Sequence, residues 1–381
     1  MVYLDHNATT PLDERVLDAM LPYMREGFGN PSSIYSLGRQ ARSAIEDARE
    51  QIAALVNAHL SQIVFTSGGT ESNNFAIKGC IAGQRIDHLY YSAIEHSSVR
   101  DVARSFQHVL KTVQPIPIGA DAELTVDVLN QTMSAGSKMV SVMWANNETG
   151  TIFPIEHLAA CAKEKGAVFH SDAVQAVGKV PVDFAKSGVD LLSLSAHKLY
   201  GPKGIGALVI NKALDMQPLL HGGGQEKGRR SGTENVAAIV GFGKAAEIAN
   251  EQLSDRRQHL DELRVYLESR LEPMPNVVIF AKEQQRLPNT CFFSVLGIDG
   301  ESLLMQLDNM GIAVASGSAC AEKTGQPSHV LLAMGIDKVT AGSAIRVSFG
   351  KDNTVEEVDY FLNQLEKIIE LTKSMSVIVN A

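Results

Sequence analysis

Cysteine is scarce in this sequence: its 381 residues hold four, Cys80, Cys161, Cys291 and Cys320, far apart and with no CxxC pair. That spacing argues against a disulfide framework and a structural zinc site. Long apolar runs are missing as well. No stretch reaches the ~18 consecutive apolar residues of a membrane span, and the opening MVYLDHNATTPLDERV places charges where a secretory leader needs an apolar run. Positive charge is in deficit, with 34 Lys and Arg against 43 Asp and Glu, a net −9 that leaves no electrostatic footprint for direct nucleic-acid binding. Repeats and low-complexity tracts are absent. These features point to a cytoplasmic protein without membrane attachment. What is present is an ordinary globular composition, 45% hydrophobic and 20% charged, which excludes collagen, coiled coils and mini-protein scaffolds.

Short apolar runs at 62–65, 88–91, 139–144, 167–169, 191–194 and 206–210 alternate with stretches of helical periodicity. Near-continuous apolar strands suit a mostly parallel sheet buried on both faces, and the alternation predicts a doubly wound α/β domain. A helical stretch from about Thr233 to Leu271, free of proline until Pro273, links it to the last third of the chain. That third holds strand-like 276–280, 290–293 and 344–349 and helices near 301–310 and 355–372, the pattern of a smaller α+β domain. The expected division is a large domain over 12–250 and a smaller one built from 1–11 and 251–381, the first dozen residues packing on the smaller domain or near the site.

Chemistry concentrates where strands run into polar turns. Ser193-Leu194-Ser195-Ala196-His197-Lys198 places a lysine at a strand end, where partial burial would free its amine to form a Schiff base; alone, the segment fits a solvated loop lysine equally well. Phe169-His170-Ser171-Asp172-Ala173-Val174-Gln175 offers a carboxylate for a pyridine nitrogen and an amide for a phenolic oxygen, although an N-cap Asp is the commoner explanation of such an acid. Ser67-Gly68-Gly69-Thr70 between strand and helix suits a phosphate cradle, yet matches neither the P-loop nor GxGxxG, which disfavours a nicotinamide dehydrogenase. His96 and Asn147 come just after further strand ends, the first able to stack on a planar ring, the second to hydrogen-bond it; each alone also reads as structural. Several such residues beyond strand ends are what a ligand crevice of an open α/β sheet requires.

Taken together, SGGTESNN, EHSS, NNETG, SDAVQ, SAHKLYGPKG, RRSGTEN and ASGSAC resemble the cysteine desulfurases of the NifS/IscS type, pyridoxal-phosphate enzymes of the class V aminotransferase group. The resemblance implies the aspartate-aminotransferase-like fold (fold type I) and a homodimer with its sites near the subunit interface. It implies Lys198 as the cofactor lysine, Asp172 as the pyridinium partner, Gln175 on the ring oxygen, His96 stacked on the ring and Asn147 against ring and substrate. Gly69, Thr70, Ser195 and His197 match the phosphate ligands of one subunit, Thr233 the threonine reaching the phosphate of the other, and Arg346 the arginine that grips the substrate carboxylate. Cys320, in a loop of small residues resembling that of the group I enzymes, matches the nucleophile; Cys80, Cys161 and Cys291 read as packing.

The expected reaction converts L-cysteine to L-alanine. Cys320 attacks the substrate sulfur as a thiolate, its proton moving through His96, and keeps that sulfur as a persulfide. An acceptor protein then takes it for iron-sulfur cluster assembly, tRNA thiolation or DNA phosphorothioation. The alternatives are other class V pyridoxal enzymes, a selenocysteine lyase or an aminotransferase. The run Ala-Glu-Lys-Thr-Gly-Gln-Pro after Cys320 departs from the Ser-rich run of many relatives and leaves the acceptor open.

Overall fold

A computed structural model describes residues 1–316 and 326–379, and of 373–379 the backbone alone. Strand β1 (Val2–Tyr3) is succeeded by β2 (Ile63–Thr66), β3 (His88–Ser92), β4 (Thr112–Ile116), β5 (Lys138–Ser141), β6 (Ala167–Asp172), β7 (Leu191–Ser195) and β8 (Gly206–Ile210). The last seven form one sheet in the order β2-β8-β7-β6-β5-β3-β4. Only β8 runs against its neighbours, pairing antiparallel with both β7 and β2. Every residue of β2, β5, β7 and β8 is buried, as helices on both faces demand, and this is why these strands read as near-continuous apolar runs.

Two differences from the sequence expectation have local causes. The ladder of β5 stops at Ser141 instead of continuing to Trp144, although Val142 and Trp144 still donate to the carbonyls of His170 and Asp172 and run on beside β6. Strand β4 is unexpected: its TVQPI carries Pro115, which weakens the strand signal but is tolerated because β4 is the sheet's edge.

The single helix anticipated from Thr233 to Leu271 is two, Val236–Glu251 and Leu253–Leu271, broken at Gln252 (φ −103°, ψ 6°). The break stems from what each helix buries. The first is covered along most of its length, through residues such as Ile239, Phe242, Ala246 and Ala249, by the large core and packs on the Ser36–Leu55 helix. The second inserts Leu260, Leu263, Leu267 and Leu271 into a different core, so the axis must turn between them.

That second core lies under β9 (Val277–Ile279), β10 (Thr290–Val295), β11 (Ile312–Ala313), β12 (Ala315–Ser316) and β13 (Ala344–Ser348). Four of these strands form an antiparallel sheet, β12-β13-β10-β9, while β11 pairs in parallel with β1. The chain's start therefore belongs to this unit, with Leu4 in its core and a backbone bond from His6 to Ser348. The next residues, Asn7 and Ala8, lie against the large sheet's strand ends, where their carbonyls meet Lys198. No helix among the described residues is long and apolar enough to cross a membrane.

Candidate active site

Because β2, β3, β5, β6 and β7 point the same way, their carboxyl ends open on one side, the position where a doubly wound sheet binds ligands. A cavity of about 340 Å³ lies there. Ten of the twelve candidate residues line it: Gly69, Thr70, His96, Asn147, Asp172, Gln175, Ser195, His197, Lys198 and Arg346. Thr233 does not; it is exposed on the turn before the Val236–Glu251 helix. Cys320 falls outside the described residues.

The anion end is made by backbone. Gly68 adopts φ 151° and ψ −178°, a region open essentially to glycine alone, and begins the Gly69–Gln84 helix with no side-chain cap. Its approach depends on a second glycine, because a Cβ on Gly206 of β8 would sit 2.7 Å from the Gly68 Cα. The helix thus presents uncapped N–H groups and its positive dipole end at Gly69 and Thr70. Glu71 in the same turn is drawn aside, its carboxylate accepting from the Ser67 amide at 2.7 Å and pairing with Arg230 Nε at 2.8 Å. That ion pair ties the helix to the loop that carries Thr233.

Asp172 ends β6 with both carboxylate oxygens engaged, Oδ1 by the Val174 amide at 3.0 Å and Oδ2 by Asn73 Nδ2 at 2.6 Å. His96 caps the Ser97–Arg104 helix by accepting the Ser98 amide at Nδ1. Burial lowers its pKa, with Lys198 and Arg100 adding to the effect and Asp172 opposing it, which favours the neutral ring, Nδ1 accepting and the proton on Nε2. His197 is pushed down to about 4 by burial and by Lys198 and Lys203, and bonds Thr9 Oγ1 at 3.1 Å. The Lys198 amine reaches the carbonyls of Asn7 at 2.5 Å and Ala8 at 2.6 Å.

Arg346 of β13 enters from the second sheet. It donates from Nη1 to the Asn147 carbonyl at 2.9 Å and from Nη2 to Asp5 at 2.6 Å, and its buried Nε has no partner among the described residues. Of the other cysteines, Cys80 and Cys291 are deeply buried and burial raises both thiols, Cys80 to about 12.

Sequence reasoning missed four residues of this site. Asn73 was legible in principle, since it lies four residues, about one helical turn, after Gly69. Lys179 stands at the same spacing after Gln175. Asp5 and Asn7 carry no local signal, because pairing of β1 with β11 delivers them across 300 residues.

An amine at a strand end, an anchored carboxylate, a neutral imidazole and an anion-binding helix terminus around one cavity fit pyridoxal 5′-phosphate: these are the parts of a pyridoxal-dependent enzyme on an α/β sheet. The chain belongs to the class-V aminotransferase family, whose model matches residues 2–361; class-V aminotransferases and cysteine desulfurases are pyridoxal-phosphate dependent. It is 44% identical to a protein named cysteine desulfurase IscS from Dictyoglomus turgidum, over 98% of this chain and 96% of that one. Among solved structures, it matches a NifS-like protein with a TM-score of 0.91 and 39% identity, covering 97% of this chain and 99% of the other. It also matches SspA in complex with cysteine, with a TM-score of 0.81 and 31% identity over 93% and 100% of the two chains.

Proposed function

We propose that the protein is a pyridoxal-phosphate-dependent cysteine desulfurase that moves the sulfur of L-cysteine onto Cys320 as a persulfide, releases L-alanine and passes the sulfur to an acceptor protein. The observation that carries this is the meeting of Lys198, Asp172, Gln175, His96 and Arg346 with the glycine-built helix terminus at one cavity. A relative named cysteine desulfurase and a neighbour solved with cysteine support it.

Bound pyridoxal phosphate supplies an aldehyde and a protonated ring that draws electron density from the substrate Cα. Lys198 would hold the cofactor at its aldehyde carbon and carry the proton taken from the substrate Cα. Asp172, held by Asn73 and the Val174 amide, keeps a proton on the ring nitrogen. Gly69, Thr70, Ser195 and His197 hold the phosphate. Thr233, exposed and away from its own cavity, serves the phosphate of a second copy in a homodimer. Arg346 binds the substrate carboxylate through its planar fork, Asp5 meanwhile satisfying the outer nitrogen. The Cys320 proton leaves by way of His96. The thiolate then forms an S–S bond to the substrate Sγ as the C–S bond breaks, and Cβ gains a proton to complete alanine. A reducing compartment such as the cytoplasm suits a chain whose described cysteines are all unpaired.

The test is alanine release and protein-bound persulfide after L-cysteine is added to holoenzyme, in the wild type, Cys320→Ala and Lys198→Ala. Wild-type turnover lost in both variants is the expected result. Equal alanine from wild type and Cys320→Ala would overturn the reading in favour of a selenocysteine lyase, and no alanine from either would overturn it in favour of an aminotransferase.

A further inference from the structure

Lys179 is a buried amine that the reaction above does not use. It forms no ion pair among the described residues. Its Nζ donates instead to two neutral oxygens, Asn7 Oδ1 at 2.9 Å and Gln175 Oε1 at 2.7 Å. Its neighbours Lys198 and Arg346 are positive, and together with burial they hold its pKa well below the usual lysine range. A neutral amine has two N–H groups, and here two acceptors take them.

The other side of the Gln175 amide is also fixed. Its Nε2 donates at 2.9 Å to the Asn7 carbonyl, the same oxygen that receives Lys198 Nζ. Asn7 is itself held rigidly: its side chain bonds Thr290 Oγ1 at 2.8 Å, Asn289 Nδ2 at 3.1 Å and the Asn147 carbonyl at 3.2 Å, and its amide bonds Ser348 Oγ. Gln175 and Asn7 thus close a ring through Lys179. The terminal torsion of a glutamine is broad and roughly two-fold, so one contact leaves the amide free to swing, whereas one at each end clamps it. Clamped this way, Gln175 keeps its second Nε2 hydrogen for whatever fills the cavity it lines.

We propose that Lys179 is a positioning residue that, by donating to both Asn7 and Gln175, fixes the Gln175 amide so that its N–H edge faces the cofactor's phenolic oxygen. This rests on the pyridoxal-phosphate reading of the site. It assigns a role to a lysine that touches neither cofactor nor substrate.

The experiment measures binding of pyridoxal 5′-phosphate and of its 3-deoxy analogue, which lacks the phenolic oxygen, to the full-length protein. Variants are Lys179→Met, which removes both donors, Lys179→Gln, whose amide restores two N–H groups without charge, and Gln175→Met. In Lys179→Met, affinity for pyridoxal phosphate is expected to fall about tenfold, the value of one lost hydrogen bond to a charged oxygen, with affinity for the analogue unchanged. Lys179→Gln is expected to bind both as the wild type does. Equal loss of both ligands in Lys179→Met, or no loss of either, overturns the proposal, as does a phenol-specific loss in Lys179→Gln. If Lys179→Met does not fold, Lys179→Ala, which likewise lacks both donors, takes its place under the same criterion. Gln175→Met separates the two levels: if it shows no phenol-specific loss, the assignment of Gln175 has failed. If it shows that loss and Lys179→Met does not, only the role of Lys179 has failed.

Discussion

Replacing Arg49 with Met tests how the segment carrying Thr233 is held to the sheet. Arg49 and Glu226 form a two-pronged ion pair, Nη1 to Oε2 and Nη2 to Oε1, both at 2.8 Å, with side chains 6% and 3% exposed. Arg49 also donates to the Ile63 carbonyl at 2.9 Å and lies over the Phe65 ring, while Glu226 Oε2 accepts the Phe65 amide. The pair therefore fastens β2 to the Gln225–Gly228 turn, where Glu226 and Lys227 sit at positive φ. Removing the arginine strands a buried carboxylate, at a cost of about 3–5 kcal/mol. The unfolding entropy of a 381-residue chain is roughly 0.8 kcal/mol/K, so the melting temperature should fall by about 4–6 °C. Differential scanning calorimetry of wild type, Arg49→Met and Arg49→Met/Glu226→Gln measures this. The double variant retains an acceptor for the Phe65 amide without a stranded charge and should recover part of the loss. A single-variant drop below about 2 °C, or a double variant less stable than the single, would refute the reasoning.

The geometry sets two further expectations. A Cβ on Gly206 collides with the Leu194 carbonyl and the Gly68 backbone, so Gly206→Ala should weaken pyridoxal phosphate binding by about tenfold or more; wild-type affinity in a fluorescence titration would show that the Gly68 turn holds no phosphate. Burial lowers His170 to about 3 between Ser141 and Ser193. Below about pH 6.5 the unfolded chain takes a proton there that the native ring refuses until about pH 3. Stability therefore falls with acidification across that window by about 1.4 kcal/mol per pH unit from this group. His170→Asn should flatten the pH dependence of urea unfolding by that slope, and parallel curves for the two proteins would contradict it.

Most of the large sheet was legible in the sequence because strands buried on both faces are mostly apolar, and their polar ends then stand out as turns bearing Asp172, Lys198, His96 and Asn147. Edge strand β4 escaped, since Pro115 is forbidden in a sheet's centre but not at its rim. The break at Gln252 escaped too: helical periodicity reports that residues favour a helix, not that its two halves serve different cores.

The sequence by itself determined the kinds of groups at the site and the fold class, because strand periodicity and the residues at strand ends are local properties. Only the tertiary structure decided how those groups are held. Pairing of β1 with β11 brings Asp5 to Arg346 and Asn7 to Lys198, Gln175 and Lys179, and packing leaves Lys179 with two neutral acceptors and no counter-ion among the described residues. Such partners are separated by up to 341 positions. The free energy that selects them comes from burying the two cores, each assembled from distant parts of the chain, which no window of local sequence contains.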